Sequence, residues 1–183
     1  MNAGIPIIWI DCEMTGLDLK ADALIEVGIV ITNQELEIQG HGLQVVISPP
    51  EGSLESMSDF VRKMHQESGL LEVLDSGVSL SSAEELILNY LTEMGIPPGK
   101  APLGGNSPWM DRSFIARDLP KINEFLHYRT IDVSSIKELA KRWYPSKYFK
   151  APEKVGNHRA LSDALDSIKE LKYYRSEIFT TEN

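Results

Sequence analysis

Two carboxylates stand two residues apart at the end of an apolar, β-branched stretch. Residues 5–13 are typical of a buried strand, and Asp11 and Glu13 lie at its end. Because side chains alternate along a strand, these two point to one face, with Cα atoms about 6–7 Å apart. Like charges side by side are costly to bury unless cations pair with them. The pair could bind Mg²⁺ or Mn²⁺ through its oxygens, or be an ordinary exposed pair.

A histidine and a third acid lie near the C-terminal end of the sequence. His158 and Asp163 are five residues apart, and on one continuous helix they would point about 140° apart. A loop position for His158 and a first-turn position for Asp163 would let both face one site. There the histidine could take a proton from a metal-bound water. Alone, His158 could be a helix cap or a solvated side chain, and Asp163 an acid favoured by the helix dipole.

A fourth acid follows a glycine-containing turn. Asp111 comes after Gly104-Gly105-Asn106-Ser107 and is predicted to open a helix. Taken alone it too could be a first-turn acid that the helix dipole stabilises. If all four acids converge, they carry up to four negative charges, which two divalent cations would balance.

The elements that must position these residues follow a simple order. Strands are predicted at residues 5–13, 23–32, 36–48, 103–106 and 128–133. Helices are predicted at residues 53–66, 81–94, around 111–118, 135–143 and 160–175, the second opening with a Ser81-x-x-Glu84 capping box. Three consecutive strands and then alternating helices and strands predict an α/β fold, in which an antiparallel meander and parallel strands form a mixed sheet flanked by helices. We expect one domain over residues 1–183, with a core at about 5–176 and a flexible tail at 177–183.

Composition limits the classes of function. No run approaches the roughly 20 apolar residues of a membrane helix, and the N-terminus lacks a signal-peptide pattern, so we expect a cytoplasmic protein. Cys12 is the only cysteine, which excludes an internal disulfide and a cysteine-based zinc cluster and favours a buried core position. The net charge of −9 argues against a non-specific binder of long duplexes but allows a short anionic substrate. The positive charge is concentrated in residues 100–183, which carry fifteen Lys and Arg against three in residues 1–99.

The order of these motifs resembles the oligoribonuclease family of DEDDh exonucleases. The resemblance runs over about residues 7–175 and looks closest to actinobacterial members. It rests on residues 8–18 (IWIDCEMTGLD), on Gly105-Asn106-Ser107 with Asp111, and on His158-Arg159-Ala160-Leu161-x-Asp163. Further matching stretches are His127-Tyr128-Arg129, Asp132-Val133-Ser134, Lys137-Glu138-Leu139 and Arg142-Trp143.

The resemblance implies a ribonuclease H-like fold and a homodimer that degrades very short RNAs, especially dinucleotides, to 5′-mononucleotides from the 3′ end. It implies that two divalent cations, Mg²⁺ or Mn²⁺, are held directly or through water by four ligands, and that His158 is the general base. The implied ligands are Asp11, Glu13, Asp111 and Asp163. The implied substrate-binding residues are Met14, Leu17, Phe60, Ser107, Tyr128, Arg129 and Ser134.

Leu17 would wedge near the terminal bases. The substrate's 5′ end would be gripped by Ser107 and Ser134, and by Tyr128 and Arg129 from the partner subunit. The sequence departs from the family where Phe60 replaces a common Trp beside the 3′ base, although a Phe can still stack. It departs again where residues 108–110 (PWM) replace a smaller, more polar stretch.

Two other classes of protein stay open. One is another DEDDh exonuclease that acts on longer RNA or DNA 3′ ends, against which the HYR segment at residues 127–129 and the lack of a strong basic patch argue. The other is a catalytically silent nucleic-acid-binding or dimeric scaffold, which the full set of acids disfavours.

Overall fold

A five-stranded mixed sheet forms the centre of the computed structural model, which describes residues 4–153 and 156–179. The strands are β1 (Ile7–Met14), β2 (Leu24–Thr32), β3 (Ile38–Val46), β4 (Leu103–Gly105) and β5 (Thr130–Asp132). In the sheet they lie in the order β3-β2-β1-β4-β5. The first three strands pair antiparallel, whereas β4 and β5 run parallel to β1, so the predicted mixed α/β sheet is confirmed.

Helices cover both faces of this sheet. They are α1 (Asp59–Glu67), α2 (Leu70–Val73), α3 (Leu80–Glu93), α4 (Trp109–Asp118), α5 (Pro120–Phe125), α6 (Val133–Trp143), α7 (Pro145–Tyr148) and α8 (Ala160–Glu177). The three shortest helices were not predicted, because one or two turns carry too little periodicity to be recognised.

Two predicted helix starts are wrong. The helix predicted from residue 53 begins at Asp59, because the Ser53 and Ser56 hydroxyls donate to nearby carbonyls and hold the chain in turns. The predicted capping box at Ser81 is absent, since Ser79 is the N-cap of α3 and accepts from the Ser82 N–H at 3.2 Å. Glu84 is instead buried and accepts from a backbone N–H of α5.

Alternation along β1 assigns its side chains to two apolar layers. Ile8, Ile10 and Cys12 lie in one core cluster, whose members include residues of α3, α4 and α5. Ile7 and Trp9 lie in the other, with residues of α6 and α8. The next two residues on the α8 face of β1 are the acids at positions 11 and 13. On this face of β1 the side chains therefore change from core residues to acids at the point where the first turn of α8 covers the strand.

The remaining sequence expectations concern burial and the chain end. Cys12 is buried, as predicted. Helix α8 continues through Glu177, two residues beyond its predicted end, while residues 180–183 of the expected flexible tail lie outside the described residues. Within residues 4–153 and 156–179, no helix has the length and apolar character to cross a membrane.

Candidate active site

Three carboxylates converge where β1 ends and α8 begins. Asp11 and Glu13 come from the strand, and Asp163 comes from the first turn of the helix. One oxygen from each carboxylate lies within 4.8 Å of the other two. The predicted same-face arrangement of Asp11 and Glu13 and the first-turn position of Asp163 are therefore observed.

A glycine in β2 lets the helix approach this closely. Gly28 is the cross-strand partner of Asp11. A Cβ atom at Gly28 would lie 2.2 Å from the backbone N of Leu161 and 2.3 Å from the carbonyl carbon of Ala160. Because those atoms belong to the helix backbone, they could not move aside as a flexible side chain could. The absence of a side chain at this position brings the first turn of α8 onto the sheet beside Asp11.

Asp111 reaches the same strand from the first turn of α4. Its side chain is buried, and its Oδ1 accepts a hydrogen bond from the backbone N of Cys12 at 2.8 Å. Cys12 lies between the two acids of β1, so Asp111 is joined to the strand at the centre of the cluster. The structure therefore brings all four predicted acids to one end of β1, with three in mutual proximity and the fourth beside them.

Burial and like charge perturb the ionisation of these acids. Burial, followed by the charges of Asp163, Glu26 and Asp111, raises the pKa of Glu13 to about 8, although Arg159 lowers it. Burial also raises the pKa of Asp111 to about 6, against the stabilising effect of the hydrogen bond from Cys12. A cluster of carboxylate oxygens with this unfavourable ionisation has the donor set and the charge that suit hard divalent cations.

These shifts predict how the stability of the metal-free protein depends on pH. Because folding raises the pKa of Glu13 from 4.5 to about 8, the folded state binds the proton more tightly than the unfolded state. The contribution of this bound proton to the free energy of unfolding is fully present below about pH 4.5 and is lost as the pH rises towards 8. We expect the wild-type Tm in EDTA to fall more steeply over this range than that of Glu13→Gln. We also expect added Mg²⁺ to raise the wild-type Tm most at the alkaline end. Calorimetry at three pH values measures both effects, and an equal effect of Mg²⁺ at pH 5 and 8.5 would contradict them.

Two histidines lie near the cluster, and only one was anticipated. His158 is exposed in the loop before α8, as predicted, and has a left-handed φ of 50°. His65 of α1 is fully buried, with Nε2 2.9 Å from the carbonyl oxygen of Met14 and Nδ1 3.9 Å from the Glu13 carboxylate. Burial lowers the pKa of His65, while its hydrogen bond to the Met14 carbonyl oxygen raises it. No signal in the sequence distinguishes His65 from an ordinary residue of an amphipathic helix.

Exposed apolar side chains lie on the segments that adjoin this end of β1, namely the following loop and the helices α1 and α4, which bond to Met14 and Cys12. Met14, the last residue of the strand, is half-buried, and Leu17 in the following loop is 65% exposed. Phe60, on α1, is 77% exposed, and Trp109, which opens α4, is 63% exposed. The two aromatic residues at which the sequence departs from its family are therefore both accessible to a ligand.

The loop that carries Leu17 is held in place by hydrogen bonds. The Asp22 carboxylate accepts from the Thr15 hydroxyl at 3.1 Å and from the Asp18 backbone N at 2.8 Å. Arg117 of α4 donates to the carbonyl oxygens of Leu19 and Asp22. The exposed Leu17 side chain is thus presented by an ordered turn.

Ser107 and Ser134 form a second polar group, at the ends of β4 and β5. Ser107 has a φ of 52°, and its hydroxyl donates to the Ser134 hydroxyl at 3.1 Å. Asp132 orients both residues, since its Oδ1 accepts from each of their backbone N–H groups at 3.0 Å. The Ser134 hydroxyl then donates to the side chain of Asn106. The two serines predicted to act together are in contact.

Tyr128 and Arg129 form a surface group of their own. The Arg129 Nε donates to the Tyr128 hydroxyl at 3.0 Å, and the rings of His127 and Tyr128 lie 4.4 Å apart. Arg112 holds this turn by donating to the carbonyl oxygens of His127 and Tyr128. Tyr128 is 73% exposed. Thr130, the residue after this pair, lies in register with Ile8 across two strands, so within one chain the pair precedes the level of Asp11 and Glu13 and lies two strands away from them.

Sequence comparison identifies relatives over nearly the whole chain. The exonuclease family model RNase_T matches residues 8–171. The oligoribonuclease of Streptomyces coelicolor is 57% identical over 172 residues, which cover 94% of this chain and 86% of that protein. The oligoribonuclease of Cutibacterium acnes is 53% identical over 169 residues, which cover 92% of this chain and 84% of that protein.

Solved structures show the same fold at low sequence identity. E. coli exonuclease I bound to an oligonucleotide matches with a TM-score of 0.65 and 15% identity, over 94% of this chain and 40% of that one. A product-bound exonuclease I matches with a TM-score of 0.69 and 13% identity, over 94% and 44% of the respective chains. This similarity and the family match confirm the expected ribonuclease H-like fold.

Proposed function

The chain belongs to the oligoribonuclease family of exonucleases, and from this membership we propose that it hydrolyses very short RNAs, dinucleotides included, to 5′-mononucleotides in the cytoplasm. The chain is a 3′-to-5′ exoribonuclease, and the preference for the shortest substrates is the finer part of the proposal. The observation that supports the nuclease chemistry is the convergence of the Asp11, Glu13 and Asp163 carboxylates around one point.

The four acids would hold two divalent cations, either Mg²⁺ or Mn²⁺. Asp11, Glu13 and Asp163 offer oxygens close enough to share a cation, and Asp111 would act directly or through water from its position beside Cys12. When bound, such cations promote ionisation of a water and offset the negative charge that develops at a phosphate. Burial and then the negative charges around it raise the pKa of Glu13, and a bound cation would offset both effects.

His158 would accept the proton of the attacking water. It lies in an exposed loop directly before the helix of Asp163, where its imidazole has access to solvent and to a bound substrate. An imidazole accepts a proton only in its neutral form, and a solvent-accessible ring can pass that proton on to water. Protonation of the buried acids Glu13 and Asp111 as the pH falls would weaken metal binding, so the rate should fall with it.

The preference for short RNA would come from closure of the groove beyond the second nucleotide. The Ser107 and Ser134 hydroxyls, 3.1 Å apart, now donate to Ser134 and Asn106 respectively and would turn from these acceptors to donate to a 5′ phosphate. Arg129 would add a charge-assisted contact to that phosphate, and Tyr128 would stack on a base. Leu17 would separate the terminal bases. A longer RNA that continued past this phosphate would collide with these side chains, so it would bind less well.

We infer that Tyr128 and Arg129 act in the site of a partner subunit. Mixing two inactive variants tests this, because Arg129→Ala keeps its acids and Asp11→Asn keeps its arginine. After subunit exchange each heterodimer would contain one complete site, and cleavage of a 5′-phosphorylated dinucleotide should recover to about a quarter of the wild-type rate. No recovery, with heterodimers verified by mass spectrometry, would place Arg129 in the site of its own subunit.

Direction and metal dependence are tested on a 5′-labelled RNA of about five nucleotides. We expect labelled products that shorten one nucleotide at a time, no reaction in EDTA, and recovery with Mg²⁺ or Mn²⁺. Asp59→Asn, an exposed first-turn acid of α1, is the control for Asp11→Asn and should retain the wild-type rate. Cleavage in EDTA, or products that begin at the 5′ end, would overturn the proposal.

A further inference from the structure

An acidic residue, Glu26, lies near the start of the buried strand β2. The Glu26 side chain is 0% exposed, and its carboxylate accepts hydrogen bonds from three residues. Arg159 donates to Oε1 through Nη2 at 2.7 Å and through Nε at 3.1 Å. Gln44 of β3 donates to Oε1 at 2.9 Å, and the backbone N of Ala160 donates to Oε2 at 2.9 Å. Both carboxylate oxygens are therefore occupied by donors.

These bonds fix the point at which the chain enters α8. Arg159 is the N-cap residue but makes no capping bond with its own side chain, so Glu26 satisfies the first N–H of the helix from the sheet. The residue immediately before Arg159 is His158. The Asp163 backbone N donates to the Arg159 carbonyl oxygen at 3.1 Å, within the first turn. The ion pair thus holds the short segment that carries both functional side chains.

The Glu26–Arg159 ion pair also lies beside the strand that carries Asp11 and Glu13. Glu26 lies directly across from Glu13 in the β1–β2 register. One buried carboxylate therefore joins the strand of Asp11 and Glu13 to the segment of His158 and Asp163. Contact at Gly28 sets how closely α8 approaches the sheet, whereas the ion pair sets where its first residue lies.

We propose that Glu26 and Arg159 are positioning residues, whose buried ion pair sets the placement of His158 and Asp163 relative to Asp11 and Glu13. This inference rests on the proposed function and adds the two residues that would act through the base and the metal ligand. A buried ion pair is weak evidence for stability, since apolar residues of similar volume often stabilise a core equally well. What an apolar pair could not supply is the set of directed bonds to the Arg159 side chain and the Ala160 N–H.

Glu26→Gln is the sharpest single change. The amide keeps the volume of the side chain, but in either orientation its NH₂ group faces a donor, from Arg159 and Gln44 on one side or Ala160 on the other. We expect kcat on a short RNA to fall about a hundredfold with KM within about threefold, because small misplacement of catalytic groups is costly. We also expect the Kd for Mn²⁺, followed by electron paramagnetic resonance, to rise about tenfold.

Glu84→Gln is the matched control. Glu84 is also buried, accepts from the backbone N of Lys121 at the start of α5 at 2.8 Å, and pairs with the Lys121 Nζ at 3.5 Å. It reproduces the chemistry of Glu26, a buried carboxylate that caps a helix and pairs with a cation, on helices that carry none of the four acids. We expect it to lower Tm while leaving kcat and Mn²⁺ affinity at wild-type values.

A double-mutant cycle separates positioning from general destabilisation. If Glu26 acts largely through the base, Glu26→Gln should cost less than about fivefold in kcat in the His158→Ala background. Should Glu26→Gln fail to fold, Arg159→Lys takes its place in the cycle, because it keeps the charge and loses the paired donors. Equal losses in both backgrounds, together with wild-type Mn²⁺ affinity, would leave only a lowered Tm and would overturn the inference. An unaffected kcat in His158→Ala alone would instead refute the proposed base, and Mn²⁺ affinity would then decide the role of Glu26 through Asp163.

Discussion

The Glu13→Gln variant is expected to lose about a thousandfold in kcat on short RNA, because a neutral amide is a far weaker ligand for a divalent cation than a carboxylate. The metal-free variant should at the same time be more stable than the metal-free wild type at pH 8. Burial, followed by the like charges around it, raises the pKa of Glu13 to about 8, and replacing Glu13 removes the cost of ionising it. Single-turnover kinetics in Mg²⁺ and calorimetry in EDTA measure the two effects.

Glu84→Gln distinguishes this outcome from a general effect of removing a buried carboxylate. Glu84 has a cationic partner, Lys121, so its replacement should lower stability and spare activity, the reverse of Glu13→Gln in both measurements. A Glu13→Gln enzyme with near wild-type kcat would refute the metal-ligand role. A metal-free Glu13→Gln protein that is less stable at pH 8 would refute the electrostatic account of the cluster.

Arg129→Ala is expected to lower kcat/KM for a 5′-phosphorylated dinucleotide by about a hundredfold, since loss of a charge-assisted phosphate contact typically costs a few kcal/mol. The Arg129 side chain is attached to an exposed turn and bonds to the Tyr128 hydroxyl, so removing it leaves no buried charge without a partner. The effect should therefore appear in catalysis and not in Tm. Steady-state kinetics on the dinucleotide, with a melting curve, measure it.

A substrate control isolates the phosphate contact. A dinucleotide with a 5′ hydroxyl lacks the group that Arg129 would hold, so the wild type and Arg129→Ala should cleave it at rates within about threefold of each other. Arg175→Ala removes an exposed arginine that pairs with Glu35 on another part of the surface and should leave both substrates unaffected. A preserved rate of Arg129→Ala on the phosphorylated dinucleotide would eliminate the 5′ cap.

Local pattern predicted the strand half of the site well. The period of two in β1 is sufficient to place Asp11 and Glu13 on one face, and the structure has them there. The same reasoning left Asp111 and Asp163 as possible dipole-stabilised acids, because nothing local states where a helix start lies relative to a distant strand. Family resemblance, and not spacing, supplied that convergence.

The features that could not be predicted depend on long-range contacts. The approach of α8 depends on Gly28, and its anchoring depends on a bond between Glu26 and Arg159, 133 residues apart in the chain. Glu26 carries the one visible signal, a charge within the otherwise apolar strand LIEVGIVIT. Glu84 was read as part of a local capping box, but its carboxylate bonds to Lys121 of another helix. Tertiary hydrogen bonds of this kind override local sequence patterns.

The most direct test of the central claim compares two substrates in Mg²⁺ at equal concentrations of the purified protein. One is a 5′-phosphorylated diribonucleotide, and the other is a single-stranded RNA of about 20 nucleotides. The proposal predicts that kcat/KM for the dinucleotide exceeds that for the longer RNA by at least about a hundredfold. An equal or higher kcat/KM for the longer RNA would contradict it and would point to an exonuclease that acts on long 3′ ends.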